Sequence, residues 1–132
     1  RARSYKLPGG ALYTGEHLTE GVVREVLEET GIRTSFDALV CLRNQHGYRY
    51  GKSDIYFVCR LEPLSRRISI QAEEIEECLW MPLEQYFGAQ NVSSFNKRIV
   101  RASMESPGVA PTLIEGYRDP DQVEVFMPRD AG

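Results

Sequence analysis

Residues 19–31, "TEGVVREVLEETG", hold the reading on which the rest of the chain turns. Thr19 suits an N-cap, and Gly31 stands where a left-handed residue commonly closes a helix, so a helix is expected over about 19–30. At roughly 100° per residue, Val22, Val23, Val26 and Leu27 gather on one side. Glu25, Glu28 and Glu29 gather nearly opposite, flanked by Arg24 and Gly21. Carboxylates three or four apart repel by a few tenths of a kcal/mol per pair. Those in the last turn oppose the helix dipole by a further ~0.3–1 kcal/mol. A solvated acidic surface is one reading, but such surfaces interleave Lys or Arg, and this face has only Arg24 at its edge. A bound divalent cation relieves both penalties together. An oxygen-only ligand set favours Mg²⁺ or Mn²⁺.

The chain around this helix is ordinary in bulk. Its 132 residues suit one domain with a single core, and its composition is 42% hydrophobic and 27% charged. A net charge of −3 argues against a broad cationic surface for DNA or anionic lipid. No apolar run approaches the ~20 residues of a membrane span, and no secretory signal is visible. Cys41, Cys59 and Cys78 are widely spaced, without CxxC, and read as reduced, mostly buried thiols. A cytoplasmic location is the default, with mitochondrial or nuclear placement left open because the start "RARSY" lacks an initiator Met.

Flanking signals place the remaining elements. "SYKL" (4–7) reads as a short strand stopped by Pro8-Gly9-Gly10. "ALVCLRNQ" and "SDIYFVCRL" read as strands joined by "HGYRYGK" into a long hairpin. "RISI" and "CLWM" are short strand candidates; "LEQYFG" after Pro82 starts a short helix, and about 93–104 has helical spacing. "DQVEVFM" reads as a terminal strand. Strands and helices mix without regular βαβ alternation, pointing to an α+β fold or an α/β sandwich with a mixed sheet.

Residues 10–32, "GALYTGEHLTEGVVREVLEETGI", resemble the Nudix box, G-x5-E-x7-R-E-U-x-E-E-x-G-U with U aliphatic. Gly10, Glu16, Arg24, Glu25, Val26, Glu28, Glu29, Gly31 and Ile32 fill every specified position. "YKLPGG" and "EEIEECLWMPL" resemble the segments leading into the box and following it later in this family. "RNQH…DIYFVCRLEPLS…EEIEECLWMPL" is similar to the branch containing plant ADP-ribose/NADH pyrophosphatases and the animal antisense fibroblast-growth-factor protein.

The resemblance implies a Nudix-type α/β/α sandwich with a mixed β-sheet. It implies Glu25, Glu28, Glu29 and the Gly9 carbonyl as ligands of Mg²⁺ or Mn²⁺, and a loop carboxylate, Glu74 (with Glu73 the alternate), as base or extra ligand. Glu16 and Arg24 are implied as an ion pair fixing loop to helix, with Gly10 and Gly31 as structural positions. The implied reaction is hydrolysis of a nucleoside diphosphate linked to a moiety X, ADP-ribose- or NADH-like, to a nucleoside monophosphate and X-phosphate. Hydrolysis of coenzyme A, a nucleoside triphosphate or capped RNA, or a Nudix-fold binding module, are the alternatives.

Arg43, Tyr48 and Arg49, in a loop rich in Arg and Tyr, are candidate substrate contacts; a solvated hairpin tip is the equal alternative. His17, Lys97 and Arg98 read as surface, and Trp80 and Met81 as core. Ser93-Ser94 has no triad partners. The family carries a longer segment ahead of the box, so the 132 residues are expected to be the C-terminal part of a longer protein, with one or more strands lying outside them. A homodimer is expected only by analogy with related pyrophosphatases.

Overall fold

The computed structural model describes residues 5–47, 49–70, 73 and 75–129, Arg49 by its backbone alone. Helix α1 spans Leu18–Thr30 and closes on Gly31 at φ 77°, whose N–H donates to the Leu27 carbonyl at 2.8 Å. That ending agrees with the sequence; the beginning does not. The cap position is His17, not Thr19, and His17 makes no capping bond of its own. Glu124 supplies the cap from across the chain. Its carboxylate accepts from the Leu18 N–H at 2.8 Å, the Thr19 N–H at 3.4 Å and the Thr19 hydroxyl at 2.6 Å. A carboxylate there satisfies orphan amides and complements the helix dipole. Glu124→Gln is therefore expected to lower stability by about 1 kcal/mol, read from urea midpoints at pH 7.

Strands β1 (Thr34–Gln45) and β2 (Asp54–Pro63) form the long antiparallel hairpin, paired from Thr34 with Pro63 to Gln45 with Asp54. Both run further than their apolar runs suggest, because a ladder continues while backbone partners remain. Helix α2 (Leu83–Gly88) follows Pro82, and α3 (Ser94–Glu105) is capped by the Ser93 hydroxyl, which accepts from the Asn96 N–H at 3.0 Å. Short strands β3 (Val109–Pro111) and β4 (Phe126–Pro128) complete a sheet of order β2-β1-β3-β4. Helix α1 packs on β1, and α3 packs on β1 and β2. The helix-and-sheet class stands. The three described pairings are all antiparallel, where a mixed sheet was expected.

Several short strands do not form. Residues 5–7, 67–70 and 78–81 are irregular, and only Phe126–Pro128 of the terminal candidate and its neighbour pairs. Strand propensity counts only when a ladder partner is present. Elsewhere the backbone is satisfied locally: Ser69 N–H donates to the Thr30 carbonyl at 2.8 Å. Trp80, expected in the core, is 51% exposed, and its indole N–H donates to the Arg66 carbonyl at 2.9 Å. Met81 is half-buried.

The buried core is small: Val26, Ile32, Ala38, Val58, Tyr86, Val92 and Ile99. Around it an unforeseen polar joint ties α3 to the hairpin. A β-bulge at Asp37 aims its carboxylate at Arg60 (2.6 Å) and Arg129 (2.9 Å). Arg60 also donates to the carbonyls of Ser103, Ser106 and Pro107 at the end of α3. The Arg60 guanidinium holds the Asp37 carboxyl below its ordinary range. The three cysteines are free and half-buried, and burial pushes the Cys59 thiol up to about 12.

Candidate active site

The second half of α1 meets the turn that precedes it. Glu25 and Glu29, one turn apart on the same face, both reach the Gly9-Gly10 turn. The Gly9 N–H donates to Glu29 Oε2 at 2.7 Å. A Cβ built at Gly10 falls 2.5 Å from the Glu25 carboxyl carbon, so any side chain there displaces that carboxylate. The glycine is required by close approach, since its conformation is not left-handed.

Arg24 fixes the loop to the helix. Its Nε and Nη2 hold both oxygens of Glu16 at 2.8 and 3.0 Å, and Nη2 also donates to the Ala11 carbonyl at 3.2 Å. The fork-to-fork geometry is the strong form of this contact. Tyr13 completes the clamp: its N–H donates to Glu16 at 3.0 Å, and its ring lies 3.8 Å under the Arg24 guanidinium. Gly21, buried beneath, leaves room for Leu12 and Glu16, which a Cβ would strike. Sequence reasoning missed Tyr13, Leu12 and Gly21, whose positions are unspecified in the box; only their nearness to Glu16 and Arg24 marks them.

Arg24 also reaches into the acid cluster, with Nη1 3.0 Å from Glu25 and 3.3 Å from Glu28. Part of the repulsion inferred from the helix pattern is therefore already relieved by a guanidinium. Bonds from Arg24 and then from the Tyr13 N–H hold the Glu16 carboxyl below its ordinary value, and the Glu16 bonds raise the Arg24 pKa. Because the folded-state pKa of Glu16 is lowered, its contribution to stability is present above about pH 4.5 and is lost as pH falls through the folded value. Glu16→Gln should be less stable than wild type at pH 7, the gap closing on acidification below pH 4.5. Urea midpoints across that range check this.

Among the described residues no three His, Cys, Asp or Glu side chains converge into a metal cluster by themselves. The Glu29 carboxylate meets the Gly9 N–H and that of Glu25 lies against Gly10, where a Cβ would displace it, with Glu28 half-exposed beside them. Carboxylate oxygens are the ligand type that suits a hard divalent ion. The Cys78 thiol is raised first by burial and then by the charge of Glu29.

Other candidates stand apart. Arg43 donates to Asp54 at 3.0 Å, and its guanidinium lies 5.0 Å from the Tyr56 ring and 5.8 Å from that of Phe95. Among the described residues no contact joins it to Glu16, Glu25 or Glu28. Glu74, Tyr48 and the side chain of Arg49 lie outside the described residues. His17 is not a free surface group: its ring meets the Pro120 carbonyl at 2.8 Å, which raises the imidazole pKa.

A helix closing on a left-handed glycine, three box carboxylates at its end and an Arg–Glu clamp on the preceding loop define a recognisable class. The family model for the NUDIX domain matches residues 1–102, and the chain belongs to the Nudix family. It is 45% identical over 91 residues to Nudix hydrolase 2 of Arabidopsis thaliana, covering 69% of this chain and 33% of that protein. It is 40% identical over 118 residues to nucleoside diphosphate-linked moiety X motif 6 of Xenopus laevis, covering 88% and 50%, and 36% identical over 117 residues to the Homo sapiens protein of that name, covering 87% and 34%. The chain thus spans between a third and a half of these relatives. No described helix is long and apolar enough to cross a membrane.

Proposed function

We propose that the chain carries the catalytic site of a Mg²⁺- or Mn²⁺-dependent hydrolase of nucleoside diphosphates linked to a moiety X. ADP-ribose- or NADH-like dinucleotides are the favoured substrates, and a nucleoside monophosphate and X-phosphate the products. The observation that carries this reading is the meeting of Glu25 and Glu29 with the Gly9-Gly10 turn, where only glycine at position 10 leaves the Glu25 carboxylate in place.

In this reading Glu25, Glu28, Glu29 and the Gly9 carbonyl hold the ion, and Glu74 is the proposed base or additional ligand. When bound, a divalent ion supplies positive charge and Lewis acidity toward the diphosphate. The chain's own groups do the rest. Arg24 and Glu16 keep the loop seated on α1, so the carboxylates are positioned before substrate arrives, and positioning is a large share of phosphoryl-transfer catalysis. The Gly9 N–H orients the Glu29 carboxylate through its bond to Oε2. Arg43, Tyr48 and Arg49 are proposed contacts for the nucleotide, and a cytoplasmic location is the working assumption.

A panel of ADP-ribose, NADH, coenzyme A, nucleoside triphosphates and capped RNA, each with Mg²⁺ or Mn²⁺, tests this. ADP-ribose or NADH cleavage that chelation abolishes supports the reading. Preferred turnover of coenzyme A, triphosphate or capped RNA keeps the site and replaces the substrate. Tight nucleotide binding without turnover of any member overturns the assignment in favour of a binding module.

A further inference from the structure

The segments that meet the end of α1 are irregular, so individual contacts and not a ladder satisfy their polar groups. Four of those contacts close on one another. The Tyr5 hydroxyl donates to Glu77 Oε2 at 2.7 Å, and the Gly9 N–H donates to Glu29 Oε2 at 2.7 Å. The Ser69 N–H donates to the Thr30 carbonyl at 2.8 Å, and the Trp80 indole N–H to the Arg66 carbonyl at 2.9 Å. The backbone joins these bonds through residues 5–9, 29–30, 66–69 and 77–80, stretches of two to five residues each. Passing from bond to backbone, the path runs from Tyr5 through Glu29, Ser69 and Trp80 and returns to Tyr5.

Trp80 is 51% exposed, so burial does not fix its ring in place. Its single donor goes to a main-chain carbonyl 14 residues earlier, and the Arg66 guanidinium lies 5.8 Å from the indole on the same link. The arm that begins at Arg66 is also held at its base. The Arg33 N–H donates to the Ser65 hydroxyl at 2.9 Å, and the Leu64 N–H to the Arg33 carbonyl at 2.6 Å. Tyr5 has the matching place on the other side, tying the lead into the Gly9-Gly10 turn to the arm that ends at Trp80. In a closed circuit each bond limits the freedom of the segments that the others join, so the bonds act as a unit. Opening one link leaves the Gly9 and Ser69 amides with only their own bonds to hold them.

We propose that Tyr5 and Trp80 are positioning residues for the catalytic end of α1, acting through this ring to hold the Glu29 carboxylate at the Gly9 turn. The inference rests on the reading of Glu29 as an ion ligand given above. Neither side chain touches the ion or the nucleotide in this role. Trp80 fixes the Arg66–Ser69 arm against Thr30, and Tyr5 fixes the approach to Gly9. Groups that orient a metal ligand from behind typically change affinity or rate by about 10–100-fold when removed.

Trp80→Phe and Tyr5→Phe each keep an aromatic ring and remove one donor; both are compared with the double variant. Three quantities are read on the 132-residue chain: amide exchange at Gly9 and Ser69, Mn²⁺ affinity by titration, and kcat and KM for the hydrolysed nucleotide. Each single variant is expected to speed exchange at both amides, weaken Mn²⁺ binding and lower kcat by about tenfold, with KM and the far-UV spectrum unchanged. The double variant is expected to lose no more than either single, because a ring already opened is not opened again. Losses that multiply to about a hundredfold in the double variant mean two independent contacts and overturn the proposal. So does either single variant that leaves Mn²⁺ affinity or Gly9 exchange at the wild-type value. Should Trp80→Phe fail to fold, Tyr5→Phe decides through the Ser69 amide, which its own hydroxyl never touches: unchanged exchange there overturns the ring. A wild type that neither binds Mn²⁺ nor turns over a nucleotide removes the proposed function, and exchange at Gly9 and Ser69 then decides the ring alone.

Discussion

Glu29→Gln lowers kcat/KM for the hydrolysed nucleotide by about 10²–10³-fold while leaving the fold intact. The separation follows from the geometry. The carboxamide oxygen still accepts the Gly9 N–H that Glu29 Oε2 receives at 2.7 Å, so the turn keeps its anchor. What disappears is a full negative charge at a site proposed to gather divalent cations, and removing one preorganised charged group typically costs two to three powers of ten. Steady-state kinetics, far-UV circular dichroism and Mn²⁺ titration are read together. Weakened Mn²⁺ uptake with lost turnover and an unchanged spectrum is the expected pattern. Near-wild-type turnover in the variant removes Glu29 from the proposed ligand set.

Gly31→Ala is strongly destabilising. The residue sits at φ 77°, where a side chain costs about 1–2 kcal/mol, and its new Cβ is driven into the main chain of Ser69, 2.7 Å from the amide nitrogen. That amide is the one bonded to the Thr30 carbonyl, so the clash also strains the contact docking residues 65–70 onto the helix end. Together these give about 2–4 kcal/mol, a large fraction of a typical domain's stability, and a fall in melting temperature of about 10 °C. Calorimetry checks it. A change of only a degree or two would mean that the helix end and the 65–70 segment separate easily, and that the seat beneath Glu28 and Glu29 is soft.

The two substitutions probe different links in one chain of cause. Gly31 holds the end of α1 in place; Glu29 uses that placement. Activity lost through Gly31 should therefore track the melting curve, whereas activity lost through Glu29 should not.

Legibility in the sequence followed the range of the physics. Helix α1, its glycine stop, the β1–β2 hairpin, and α2 and α3 depend on apolar spacing, Pro, Gly and a local Ser cap, all within a few residues. The pairing of Glu16 with Arg24 was visible only through the box that the stretch resembles, since eight residues and a loop separate them. The short strands were misread because a run such as "RISI" or "CLWM" is a strand only if a distant backbone lies alongside, and no local pattern reports that. Trp80 was misplaced for a related reason: a single large apolar side chain does not say which side of its segment meets the core.

The linear order of residues determined by itself that a helix would form over the box, that its acids would crowd one face and that Gly31 would end it. Those outcomes arise within two or three turns of chain. Tertiary structure alone decided that Glu124 caps this helix, that Arg60 binds Asp37 to the end of α3, and that Gly10 lies against Glu25. Each depends on atoms brought within a few ångströms from positions far apart in sequence, and only packing sets such distances.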